Sequence, residues 1–153
     1  TSQPDDITMI SIFRSPLPDY RFTHNKIVTF TDADNTVQLR KITSQIATKV
    51  GFNKKDTNLI IVAVLEALSN IIKYTYNGGV GKIEVNISGE GKTLKISLRD
   101  YGKKVDEEKI VSRDLKDIRP GGLGVHFIKE IMDSVEYMPV KDGNELRLIK
   151  KVK

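Results

Sequence analysis

Hydrophobic and polar positions along this chain change period several times, and each change marks a new element. The dominant stretch is Leu59 to Gly79, LIIVAVLEALSNIIKYTYNGG, which reads as one long, mostly apolar helix. Ile60, Ile61, Val64, Leu65, Leu68, Ile71 and Ile72 cover most of its surface. Glu66, Asn70 and Lys73 share a narrow arc at about 100° per residue. A helix this apolar is expected to be buried, and a carboxylate on it needs a partner or a purpose. The stripe serves either as a satisfied polar seam at the helix–solvent boundary or as a site, with Glu66 a base and Asn70 a ligand for metal or phosphate. Asn53 is the expected N-cap, Asp56 falls in the first turn, and Asn77-Gly78-Gly79 ends the helix.

Upstream, Lys26–Thr31 (KIVTFT) has strand character, and the DADN that follows offers cap chemistry to an amphipathic helix over Thr36–Val50. Leu39, Ile42, Ile46 and Val50 form its apolar face, and Gly51 closes it. Downstream, Lys82–Ser88 alternates strictly, with Ile83, Val85 and Ile87 on one face; Gly89-Glu90-Gly91 turns the chain, and Leu94, Ile96 and Leu98 continue the pattern. Antiparallel strands with one apolar face want helices on that face. Asp100 shares the parity of Leu94, Ile96 and Leu98. It either caps a turn or presents a carboxylate to a cavity between sheet and helices, where it can accept a hydrogen bond from a ligand's amino group. Gly102 would let the backbone pass close to that ligand.

Residues 103–120 have no long apolar face and read as a short helix plus loop, either disordered or a functional lid between two glycine-rich points. Gly121-Gly122-Leu123-Gly124 opens a helix to about Asp133, with Val125, Ile128, Ile131 and Met132 as its buried side. Backbone N–H groups at such an N-terminus make an anion site. It is not a P-loop, because no GK[ST] follows, and not the dinucleotide fingerprint, because Phe127 takes the third glycine's place. Val135–Met138 and Glu145–Lys151, joined through Lys141-Asp142-Gly143-Asn144, form a closing hairpin. Residues 1–25 read as an arm, with Ile7–Phe13 as a short strand interrupted by Pro16 and Pro18, ahead of one domain over 26–153.

Composition narrows the classes. A chain of 153 residues can bury a proper core in a single domain, and 39% hydrophobic with 29% charged residues suits an ordinary globular protein. No run approaches the ~20 consecutive apolar residues of a membrane span, and TSQPDDITMI lacks the basic and apolar regions of a secretory signal. A first residue other than Met is what a processed or excised chain would have. Without cysteine there is no disulfide, thiol nucleophile or cysteine-bound zinc. All of this is compatible with a cytoplasmic location. The net charge of +5 invites a nucleic-acid reading, but the basic residues are interleaved with acids, as in KKVDEEK, and no nucleic-acid motif appears. The charge suits an anionic ligand such as a nucleotide, or an acidic partner.

A helix with Glu and Asn four apart, a core-facing Asp followed by x-Gly, and a GGLG turn opening a helix are specific in combination and order. At EALSNIIKY, DYGKKVD and GGLGVHFIKEIMD the chain resembles the GHKL nucleotide-binding superfamily of gyrases, heat-shock chaperones, mismatch-repair proteins and histidine kinases. Within it the chain looks most like the bacterial anti-sigma factor serine/threonine kinases. The resemblance covers about Lys26 to Lys150. It implies an α+β fold of the Bergerat ATP-binding type: a two-layer sandwich whose mixed, mostly antiparallel sheet is covered on one face by helices.

By position the resemblance implies Glu66 as the general base that orients a water or serine hydroxyl toward the γ-phosphate, and Asn70 as the ligand of Mg²⁺. Lys73 would touch a phosphate or be a solvated helix-end lysine. Asp100 would accept the adenine amino group of ATP, Gly102 would lie along the nucleotide, and Arg119 would be a lid arginine for the β- and γ-phosphates. Gly121, Gly122, Leu123, Gly124 and Val125 would meet phosphates. Two departures stand out: Lys104 occupies the place where the second motif usually ends in Gly or Pro, and Asn144 follows Gly143 where many relatives have a Thr that supports the adenine. His126 reads as a partly exposed helix residue rather than a catalyst.

The implied function is an ATP- and Mg-dependent serine/threonine protein kinase of the anti-sigma factor type. It would phosphorylate an anti-sigma antagonist and switch between that protein and a sigma factor, without nucleic-acid or membrane contact. The superfamily kinases are commonly dimers, which makes a homodimer an expectation, though no dimer face is legible. Two alternatives stay open. One is a nucleotide-holding regulatory module that sequesters a partner without phosphoryl transfer. The other is the catalytic domain of a histidine kinase, which NIIKYTYNGG also suits, although neither His24 nor His126 lies on a long helical hairpin fit for a phosphoacceptor.

Overall fold

The computed structural model describes residues 21–29, 33–103 and 123–153, with side chains for 36–103 and 126–153. Alternation builds the sheet. β2 (Lys82–Glu90) and β3 (Thr93–Asp100) bury Ile83, Val85, Ile87, Leu94, Ile96 and Leu98 on one face. They pair antiparallel, with Ile83 opposite Asp100, across a turn in which Gly91 takes a left-handed φ of 60°. β1 (Arg21–Thr29) lies along the far side of β2. β5 (Gly143–Lys151) pairs with β3, and β4 (Ser134–Val140) lies outside it. The order is β1-β2-β3-β5-β4, and each pairing is antiparallel, so none of the parallel pairing of a mixed sheet occurs among the described strands. β1 begins at Arg21 rather than Lys26. Residues 21–25, expected in the arm, are thus paired in the sheet, Arg21 opposite Glu90.

Among the described residues three helices cover the apolar face: α1 (Ala33–Val50), α2 (Lys54–Asn70) and α3 (Leu123–Ile131). α1 lies on β1, β2 and β3 and buries Leu39, Ile46 and Val50, as its spacing predicts. α2 is the central helix, packed between α1 and α3 and touching β3, while α3 reaches β4. This is the expected two-layer α+β arrangement. The cap is also as expected: the Asn53 side chain accepts the Asp56 N–H at 2.7 Å and so starts α2 at Lys54.

The central helix departs from expectation in one respect. It is not buried all round: Ile60, Ala63, Val64 and Ala67 form a buried stripe, whereas Val62 is 47% exposed and Ile61, Leu65 and Leu68 are half-buried. By length and composition alone the helical stretch Lys54–Thr75 would suffice to cross a membrane. Its buried stripe, continued by Ile71 and Ile72, is core-helix packing against the neighbouring helices and the sheet.

Candidate functional site

β3 ends on Asp100, which continues the inward face of Leu94, Ile96 and Leu98 and has no exposed surface. An ionisable group there must be satisfied by hydrogen bonds. Its Oδ1 accepts the Gly102 N–H at 3.0 Å and the Asn144 amide at 3.0 Å, and its Oδ2 accepts the Tyr137 hydroxyl at 3.2 Å. Asn144 stands directly across from it in the β3–β5 register and also donates to the Lys103 carbonyl at 2.9 Å. The expected four-residue turn is only Lys141-Asp142, with Asp142 at φ 63°, so Asn144 is a buried strand residue rather than part of the loop. The residue before it must be glycine, because a Cβ on Gly143 would run into the Asp100 backbone carbonyl. The backbones of β3 and β5 therefore close tightly around the carboxylate.

The far end of α2 is tied to the same turn. Glu66 and Asn70 are half-buried, and among the described residues neither side chain is engaged in a hydrogen bond or ion pair. From Ile71 to Thr75 the helix loosens into a π-turn, closed by the Tyr76 N–H on the Ile71 carbonyl at 3.3 Å. Such i→i+5 bonding inserts an extra residue into the turn. Extrapolation at α-helical pitch therefore fails after Asn70, and Lys73 leaves the stripe: it is exposed, its ammonium 5.4 Å from the Tyr74 ring centroid. Asn77 and Gly78, at φ 53° and 77°, then reverse the chain.

Tyr76 joins the two halves. Its hydroxyl donates to the Lys82 carbonyl at 2.6 Å and accepts the Tyr101 N–H at 2.8 Å. Burial pushes this phenol above its ordinary pKa, partly offset by the Tyr101 hydrogen bond. Beside it, the Thr75 methyl occupies the space that a side chain on Gly102 would need. The absence of a side chain at Gly102 is thus first a packing requirement between the π-turn and the β3 end.

α3 opens at Leu123, so the backbone N–H groups of Leu123, Gly124 and Val125 lie in its first turn and lack intrahelical acceptors. Arg119, Gly121, Gly122 and Lys104 lie outside the described residues. His126 is exposed, its Nε2 3.4 Å from Glu130 Oε1 one turn on, which agrees with a solvent-side role.

A carboxylate offers about four lone-pair positions; the three donors on Asp100 leave one, suited to a single amino group. Among the described residues no group of three or more acidic or histidine side chains could cage a metal. Mg²⁺ is commonly held by one or two side chains, phosphate oxygens and waters; the half-buried Asn70 and Glu66 each carry a side-chain oxygen able to serve such an ion. Tyr137 and Tyr76 were not singled out from the sequence, and Asn144 was noted only for standing where many relatives have a Thr that supports the adenine. The parity of Asn144 with Leu146 and Leu148 was the available signal for that residue.

Residues 30–150 match the family described as "Histidine kinase-like ATPase domain", and the chain belongs to that family. Its relatives include the serine-protein kinase RsbW of Bacillus thuringiensis (strain Al Hakam), 25% identical in an alignment of 114 residues that covers 69% of this chain and 71% of that protein. The RsbW of Halalkalibacterium halodurans is 28% identical over 106 residues, covering 64% of this chain and 65% of that one. Among solved structures, the RsbU and RsbW domains of Rv1364c from Mycobacterium tuberculosis superpose with a TM-score of 0.53 at 15% identity over 82% of this chain. The blue-light activated histidine kinase EL346 of Erythrobacter litoralis gives 0.52 at 16% identity over 76%. The chain spans 32% and 41% of those two longer chains, and at such identities the likeness is one of fold.

Proposed function

We propose that this domain binds ATP with Mg²⁺ and acts as a serine/threonine protein kinase of the anti-sigma type. The observation that carries the nucleotide half is Asp100, a fully buried carboxylate with one acceptor position left, joined through the Tyr76 bonds to the helix bearing Glu66 and Asn70. The similarity to RsbW serine-protein kinases supports the transfer half.

In this reading Asp100 accepts the adenine amino group, and Gly102 lies along the base. Asn70 holds Mg²⁺ through its amide oxygen; the bound ion would screen the phosphate charge. Glu66, half-buried at the layer boundary, accepts the proton of the attacking serine hydroxyl and aims its oxygen at the γ-phosphate. The N–H groups of Gly121 and Gly122, together with those of the first turn of α3 from Leu123 to Val125, receive phosphate oxygens, and Arg119 meets the β- and γ-phosphates. Lys73 keeps a solvated role at the rim. The phosphoacceptor is an anti-sigma antagonist, and its phosphorylation releases it in favour of a sigma factor. The protein works in the cytoplasm, as a homodimer, without direct contact to nucleic acid or membrane.

The test is transfer of label from γ-labelled ATP with Mg²⁺ to a candidate antagonist. Wild type should label serine or threonine, and Glu66→Ala should lower the rate by about a hundredfold or more while ATP affinity stays within about threefold. A wild-type protein that binds no adenine nucleotide overturns the reading. One that binds ATP and labels nothing is instead a sequestering module, and an acid-labile label points to histidine kinase chemistry.

A further inference from the structure

We infer that Asn144 and Tyr137 are positioning residues that set the base selectivity of this site, by filling all but one acceptor position of Asp100. The inference rests on the nucleotide-binding reading above and goes beyond it to the residues that decide which base is accepted.

All three side chains lie in the core, Asp100 and Asn144 with no exposure and Tyr137 with 4%. Asn144 faces two acceptors, Asp100 Oδ1 at 3.0 Å and the Lys103 carbonyl at 2.9 Å. Turning the amide over would set its oxygen against both, so the NH₂ orientation is determined by its surroundings. With the Gly102 N–H also on Oδ1, that oxygen has two donors and is full. Oδ2 has one, the Tyr137 hydroxyl at 3.2 Å, and keeps a single lone pair. The carboxylate can neither rotate without breaking a buried hydrogen bond nor take a second ligand donor.

A base with an exocyclic amine at this point completes the set. One with a carbonyl there, as in guanine or hypoxanthine, brings two acceptors face to face beside a carboxylate that has no exposed surface. A threonine at position 144 has one hydroxyl hydrogen and can serve Asp100 or the Lys103 carbonyl but not both. The asparagine serves both, and thereby ties the orientation of Asp100 to the backbone just beyond β3.

The experiment is calorimetric titration of the wild-type chain and its variants with ATP and with purine riboside 5′-triphosphate, which has hydrogen in place of the 6-amino group. Wild type should prefer ATP by about tenfold or more, the range of one hydrogen bond to a charged acceptor. In Asn144→Leu the preference should fall to within about threefold, because the carboxylate loses one of its three donors and Oδ1 regains an open acceptor position. Tyr137→Phe should move it the same way by less, and Asn144→Thr should lie between wild type and Asn144→Leu. A purely structural loss would weaken both ligands equally and leave the ratio unchanged; that result, in folded Asn144→Leu or in Asn144→Thr and Tyr137→Phe together, overturns the inference while leaving ATP binding intact. Equal wild-type affinity for the two triphosphates also overturns it alone. Wild type binding neither removes the nucleotide reading itself.

Discussion

At Asp100 a carboxylate occupies a position where the pattern of Leu94, Ile96 and Leu98 would otherwise call for a fourth apolar side chain. Its three donors make the acid specific rather than merely tolerated. Asparagine has the same shape but exchanges an acceptor oxygen for a donor, so in either orientation at least one of the three donors loses its partner. An orphaned buried donor costs about 1–3 kcal/mol. Asp100→Asn should lower unfolding stability by that amount in denaturant titration and raise the dissociation constant for ATP by about tenfold or more. A variant with wild-type stability would mean that the three contacts are not made in solution. The inward direction of Asp100 was legible in the sequence, because parity is a local property. Its partners were not: Asn144 and Tyr137 are 44 and 37 residues away, and only strand register brings them together.

Among the elements, the central helix α2 had a legible start and an illegible end. Asn53 announced the beginning of α2 through its own side chain, and the alternation of β2 and β3 predicted their buried faces residue by residue. The end of α2 obeyed tertiary contacts instead. The π-turn over Ile71–Thr75 leads into Tyr76, whose hydroxyl bridges the Lys82 carbonyl and the Tyr101 N–H, and no periodicity encodes that bridge. Tyr76→Phe removes both bonds and should cost about 1–3 kcal/mol at neutral pH. The phenol adds a pH signature. Its folded pKa is raised by burial above the value near 10 of an unfolded tyrosine, so the folded state holds the proton longer. Its contribution is complete below about pH 10 and is lost as pH rises through the folded value. Chemical denaturation from pH 8 to 11 should show wild-type stability falling more steeply than that of Tyr76→Phe at the alkaline end. Parallel curves would contradict the raised pKa of the folded Tyr76 phenol.

On the scale of the whole molecule, the proposed ligand bridges separate parts of one core. Asp100 ends a central strand, Glu66 and Asn70 lie on the central helix, and the first turn of α3 belongs to a helix packed on that one. A ligand held by all three can bind only when the layers are assembled, so it should stabilise the fold as a unit. Saturation at a hundred times the dissociation constant adds about 2.7 kcal/mol. For a chain of 153 residues this corresponds to a rise in melting temperature of roughly 5–10 °C. ATP with Mg²⁺ should produce that rise, and GTP at the same concentration should produce much less, because its carbonyl opposes the remaining lone pair of Asp100. Thermal melts at matched triphosphate and Mg²⁺ concentrations check both halves. Equal shifts would locate the affinity in the phosphate contacts and deny Asp100 a role in reading the base; no shift with either would leave the layers without a shared ligand.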